Sequence, residues 1–162
     1  MATEDEYGML GIRPAAVRGV SLPPGRGFVV FLDRPRRLGN VGAAIRVAAA
    51  AGAAGVLVSG DADPWHPAAV RGAAGLQFAL PVARATEPPA DRPLVALDPG
   101  GAPLDEIPPD AVLAFGAERH GLSAALRERA DAVVALPMRP GVSSLNLATA
   151  VAAVLYGIAS RR

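Results

Sequence analysis

Three segments of the chain set polar and charged side chains among alanines and glycines, where little local partnership is available to them. In Asn40-Val-Gly-Ala-Ala-Ile-Arg46, only Asn40 and Arg46 have hydrogen-bonding side chains. Arg46 has no acidic residue three or four positions further on. Such a guanidinium suits an ion pair at an interface, or contact with a phosphate or a reacting oxygen. The second segment, Phe115-Gly-Ala-Glu-Arg-His-Gly-Leu-Ser123, follows an apolar run of strand length. Ligands bind at the carboxyl ends of strands in open parallel sheets, so Glu118 is either a site residue or a charge near a helix start. The third, Leu136-Pro-Met-Arg-Pro-Gly-Val-Ser-Ser-Leu-Asn146, leads into an apolar helix. Helix capping accounts for Ser144 but leaves Asn146, a poor helix former, unexplained.

Other chemistries are excluded by absence. The 162 residues contain no cysteine, and their sixteen basic residues are all arginine. Disulfides, thiolate zinc sites, a P-loop lysine and a Schiff-base lysine are therefore ruled out. Two histidines, His66 and His120, are too few for a three-histidine metal site, so no metal is expected. Gly39-Asn-Val-Gly42 lacks the spacing of a dinucleotide loop, and Gly141-Val-Ser143 lacks the closing glycine of a nucleophile elbow.

These segments need elements to position them. Gly27–Asp33, Gly55–Ser59, Leu94–Leu97, Ala111–Phe115 and Ala132–Leu136 read as short buried strands. Helices are expected over Asn40–Ala51 with Asn40 as cap, His66–Ala74, Ser123–Arg129, and Ser144–Ser160 with Ser144 as cap. Strands apolar throughout and alternating with helices predict an α/β fold, a mainly parallel sheet covered on both faces. Residues 1–26 read as a loosely ordered lead-in and 27–162 as one domain. The last helix has no charge from Leu145 to Ala159, and a helix apolar all round must be covered all round. That predicts a homodimer built on it. The acidic start lacks a secretory pattern, and the longest uncharged apolar run, Val47–Val58, is shorter than the roughly 20 residues of a membrane span. No membrane contact and a cytoplasmic location are expected.

Taken in order, the three segments resemble the motifs of the SpoU (TrmH) family in the SPOUT superfamily of RNA methyltransferases. They read N-V-G-A-x-x-R with a following A-x-A-x-G, then G-x-E-x-x-G-L-S, then P-M-x-x-G-V-x-S-L-N-L-A-x-A. The resemblance covers about Gly27 to Ala159. It implies a carboxyl-terminal trefoil knot, an exception to the rule against threaded chains. It also implies a homodimer that uses S-adenosylmethionine to methylate a ribose 2′-hydroxyl of structured RNA, tRNA or rRNA.

Carried over position by position, the resemblance puts Phe115, Gly116 and Glu118 on one side of a cofactor pocket. Leu136, Met138, Ser144 and Leu145 stand on the other. Arg46 corresponds to the family's essential arginine. A guanidinium keeps its proton in proteins, so Arg46 is expected to bind the adjoining phosphate and stabilise charge developing on the oxygen. Asn40, Glu118 and Asn146 would orient Arg46 or the ribose, across a dimer interface. Arg34, Arg36 and Arg37, clustered before Asn40, give independent support for RNA contact, alongside Arg46. Two departures stand out. Ala73 replaces a common serine in Val70-Arg-Gly-Ala-Ala-Gly75, and the lead-in is short for the RNA-binding domain many relatives carry. The alternative to an enzyme is an inactive homologue that binds cofactor or RNA.

Overall fold

The structure is a computed structural model that describes Leu22, Gly25 and residues 27–161. The lead-in expected over residues 1–26 therefore falls, apart from Leu22 and Gly25, outside the described residues. The elements in chain order are β1 (Val29–Asp33), α1 (Leu38–Ala50), β2 (Gly55–Val58), α2 (Pro67–Gly72), a 3-10 turn (Leu76–Phe78), β3 (Val82–Arg84) and β4 (Leu94–Pro103). They are followed by β5 (Val112–Gly116), α3 (Ala124–Arg129), β6 (Ala132–Ala135) and α4 (Leu147–Ala159).

The six strands form one sheet in the order β3-β2-β1-β5-β4-β6, and every pairing is parallel. Alternation along each strand feeds two cores. Val30, Leu32, Leu113 and Phe115 point to the side covered by α1, α2 and α4. Val29, Phe31, Val112 and Ala114 face the other side, where Leu122 and Leu126 from the start of α3 and α3 itself cover them. A strand buried on both faces has no need of polar alternation, which is why β1 is apolar through Leu32. Helix α1 packs against both α2 and α4. Its Gly42 lies so close to α2 that a Cβ there would strike the Ala69 carbonyl, so only glycine permits the crossing.

Two expected caps are corrected. Helix α1 begins at Leu38 with Arg37 at the cap position and no side-chain cap, so Asn40 lies inside the first turn. Helix α4 begins at Leu147, and Asn146, not Ser144, is its cap. The Asn146 side chain accepts from the backbone N–H groups of Ala148 and Thr149. Its poor helix propensity fits a residue that ends the loop, because a cap needs a short acceptor outside the helix.

Two strands also differ from expectation. β3 is too short to stand out as an apolar run. β4 extends to Pro103, and its ladder with β6 is interrupted between Leu97 and Ala102. Among the described residues, no helix is long and apolar enough to cross a membrane.

Candidate functional site

The carboxyl ends of β5 and β6 meet Leu97, Asp98 and Pro99 of β4 around a cavity of about 300 Å³. Phe115 and Gly116 end β5 and form one wall with Glu118. Leu136, just after β6, forms the facing wall with Met138, Ser144 and Leu145. All seven residues expected to form a pocket thus line this one cavity.

The loop after β5 is shaped by two glycines with different reasons. Gly121 adopts φ +64, a left-handed conformation that glycine tolerates without strain. Its N–H returns to the Ala117 carbonyl at 2.8 Å, closing a tight turn with Glu118, Arg119 and His120 at its tip. Gly116 lies beneath that turn, and a Cβ on it would run into the Gly121–Leu122 backbone. Asp33, at the end of β1 and only 4% exposed, anchors the far side of the loop. Its carboxylate accepts from the Ser123 backbone N–H at 2.8 Å and from the Ser59 hydroxyl at 3.1 Å. Arg34 also donates to Asp33 through Nε at 3.4 Å.

The polar residues of the three segments join in one chain of hydrogen bonds. Asn146 Nδ2 donates to Asn40 Oδ1 at 3.3 Å, and Asn40 Nδ2 donates to Glu118 Oε1. The other oxygen of Glu118 faces Arg37 Nε at 3.8 Å. An exposed pair at that separation adds little stability, but it sets a positive charge beside the acid. Arg46 is not part of this chain. It lies six residues beyond Asn40 on α1, exposed, with no hydrogen bond or ion pair among the described residues, and it does not line the cavity.

A neighbouring cleft of about 290 Å³ is lined by Arg36, Arg37, Arg119 and His120, and it shares Glu118 with the first cavity. Arg34 and Arg36 line a further hollow with His120. Arg34 itself is held at φ 49, unusual for a residue with a side chain. Its backbone N–H is fixed by the Ser59 hydroxyl at 3.0 Å.

Sequence reasoning missed Asp98, Arg119 and His120. Asp98 and Arg119 line the cavity between the β5 and β6 loops. The signal for Asp98 was an acid at the end of the apolar run Leu94–Leu97, but its relevance depends on β4 lying between β5 and β6. Among the described residues there is no group of three or more His, Asp or Glu side chains placed to hold a metal ion.

The model of the SpoU rRNA Methylase family matches residues 27–156. A 23S rRNA (uridine(2479)-2′-O)-methyltransferase from Streptomyces viridochromogenes is 36% identical over 150 residues, covering 82% of this chain and 52% of the relative. A 23S rRNA (adenosine(1067)-2′-O)-methyltransferase from Streptomyces laurentii is 33% identical over 174 residues, covering 98% of this chain and 64% of the relative. The chain therefore spans between half and two thirds of these relatives' length. The crystal structure of the SpoU methyltransferase AviRb from Streptomyces viridochromogenes, in complex with AdoMet, superposes with a TM-score of 0.80 at 35% identity. That match covers 87% of this chain and 60% of the other.

Proposed function

The chain belongs to the SpoU rRNA Methylase family, and on that premise we propose that it methylates a ribose 2′-hydroxyl of structured RNA, using S-adenosylmethionine. The observation that carries this reading is the hydrogen-bonded chain Asn146–Asn40–Glu118 beside an apolar cavity. The residues fit the cofactor. The cavity is at the small end of the roughly 300–1,000 Å³ usual for such sites. Phe115, Leu136, Met138 and Leu145 offer apolar walls for an adenine, and Gly116 lets backbone approach closely.

When bound, the cofactor supplies an electrophilic methyl group on a sulfonium. The protein's part is to hold the ribose oxygen in line with that carbon, since alignment and proximity account for much of the barrier reduction. Asn40 and Asn146 fix the orientation of Glu118 and the rim of the cavity. Arg46 binds the adjoining phosphate and stabilises negative charge on the attacking oxygen. Its absence from the cavity lining of its own chain, and its lack of partners among the described residues, support a site completed across a homodimer. The face of α4 bearing Thr149, Ala153 and Tyr156 is exposed, with Tyr156 at 52%. It supplies the uncharged surface for that dimer. Arg34, Arg36 and Arg37 take the RNA backbone, and arginine is well suited to phosphate.

The reading includes the carboxyl-terminal trefoil knot that membership of the family implies. We take the RNA to be rRNA or tRNA, with rRNA favoured by the relatives named as 23S rRNA methyltransferases, and the proposed location is the cytoplasm. An inactive homologue is disfavoured because Asn40, Arg46, Glu118 and Asn146 are all present and three of them are linked. The test is incubation with methyl-labelled S-adenosylmethionine and separate rRNA and tRNA pools, followed by mapping of 2′-O-methyl positions. Label at a single 23S rRNA ribose is expected; label on a base, or none in either pool, refutes the activity.

A further inference from the structure

The sheet order places one unassigned acid on the floor of the cavity. β4 lies between β5 and β6, so the point at Leu97 where its pairing with β5 stops lies between the two walls. After Leu97 its ladder with β6 breaks and resumes only at Ala102. Residues 98–101 therefore stand out of the sheet as a bulge, a device that re-aims side chains. The bulge is pressed against β6, since a Cβ on Gly101 would come within 2.6 Å of the Val134 backbone. It is also fixed internally, because Asp98 Oδ1 accepts from the Gly100 N–H at 2.9 Å. Asp98 Oδ2 faces Arg127 Nε of α3 at 3.4 Å, and its side chain is 14% exposed.

An ionised carboxylate has about four acceptor positions. Gly100 and Arg127 use two, leaving capacity toward the cavity that Asp98 lines. A carboxylate beside Leu97 and Phe115 is costly unless donors meet it. We propose that Asp98 accepts hydrogen bonds from the ribose hydroxyls of the cofactor's adenosyl group. This rests on the cofactor reading given above. The ribose is joined directly to the adenine that the apolar walls would hold, and its vicinal hydroxyls are paired donors. Acids at the ends of parallel strands recognise riboses in this way in dinucleotide sites. The charged methionine tail has other candidates, Arg119 and the Ser143 and Ser144 hydroxyls, on the flanking loops and not on the floor. Arg127 is then the charge partner of the carboxylate, whose orientation the Gly100 N–H fixes.

The experiment is calorimetric titration with S-adenosylhomocysteine, 5′-methylthioadenosine and the 2′-deoxy form of the latter. Asp98→Ala should weaken the first two by the same factor, about ten- to a hundredfold. Loss of the 2′-hydroxyl should weaken binding to the wild type but add little in Asp98→Ala, the non-additivity expected of directly interacting groups. Arg127→Gln removes the ion pair but keeps the carboxylate, so it should still discriminate ribose from 2′-deoxyribose. Failure of that discrimination overturns the proposal, because the Asp98→Ala effect would then be structural. A loss confined to S-adenosylhomocysteine overturns it by assigning Asp98 to the methionine tail. Unchanged binding by Asp98→Ala overturns it alone, whereas a wild type that binds none of the three overturns the cofactor reading with it.

Discussion

The side-chain amide of Asn146 donates to the side-chain oxygen of Asn40 at 3.3 Å, linking residues 106 positions apart. The same Asn146 caps α4 through its own oxygen. One side chain therefore performs two separable jobs, acceptor for the helix and donor to the site. Asn146→Asp keeps the acceptor and removes the donor. It should leave thermal unfolding nearly unchanged while turnover falls at least tenfold. Asn146→Ala loses both and should also cost about 1 kcal/mol of stability. Denaturant melts and single-turnover methyl transfer separate the two, and equal losses of turnover and stability in Asn146→Asp would contradict the division.

Arg46→Ala should lower methyl transfer roughly a hundredfold to a thousandfold, the scale of removing one charge-stabilising donor. Because Arg46 is exposed and makes no bond to the described residues, unfolding and S-adenosylhomocysteine binding should not change. Arg46→Lys should restore little, since an ammonium lacks the guanidinium's paired donors. Undiminished turnover in Arg46→Ala removes this residue from the mechanism.

Gly116→Ala tests the tight fold-back after β5. The added methyl meets backbone, not a flexible side chain, so the loop must move. A destabilisation of about 1–3 kcal/mol is expected, with cofactor affinity falling further than stability alone explains. Normal affinity in calorimetry would show that the loop accommodates the methyl without displacing Glu118.

Arg36 lines both the cleft beside Glu118 and the adjoining hollow. Arg36→Ala should weaken binding of rRNA fragments and reduce the slope of log affinity against log salt by about 1, as for one lost phosphate contact. Fluorescence anisotropy at several salt concentrations measures this. An unaltered slope would place the RNA elsewhere.

Tyr156, on the uncovered face of α4, is 52% exposed. Tyr156→Asp should convert a dimer to monomer in light scattering at micromolar concentration and reduce turnover with it, since a charge would be buried there. A monomeric wild type contradicts the dimer directly.

Much of this arrangement was legible because the physics is local. β1, β2 and β5 are apolar runs bounded by turn residues, and covered strands show themselves that way. The cavity walls were found through residues carrying a resemblance, and the structure gathers all seven. What could not be read was non-local. Asn40 looked like a cap because α1 has no side-chain cap to mark its true start at Leu38, and its actual partner Glu118 is far along the chain. Asp98 needed the strand order, which no single segment contains. The sequence suggests Ser144 as cap because serine is a good acceptor there, and only backbone geometry shows that Asn146 is the residue standing outside the helix.

The all-parallel sheet has a consequence for how the molecule comes together. Among the described residues no strand pairs with its neighbour through a hairpin, so β1 waits for β5, from a distant part of the chain, before its second edge is filled. Contacts so far apart in sequence make for slow assembly. The Asn40–Asn146 bond ties the start of α1 to the start of α4. A nascent chain still held before α4 has emerged lacks Asn146 and the cavity-lining Leu147 and Ala150, however well its early strands have paired.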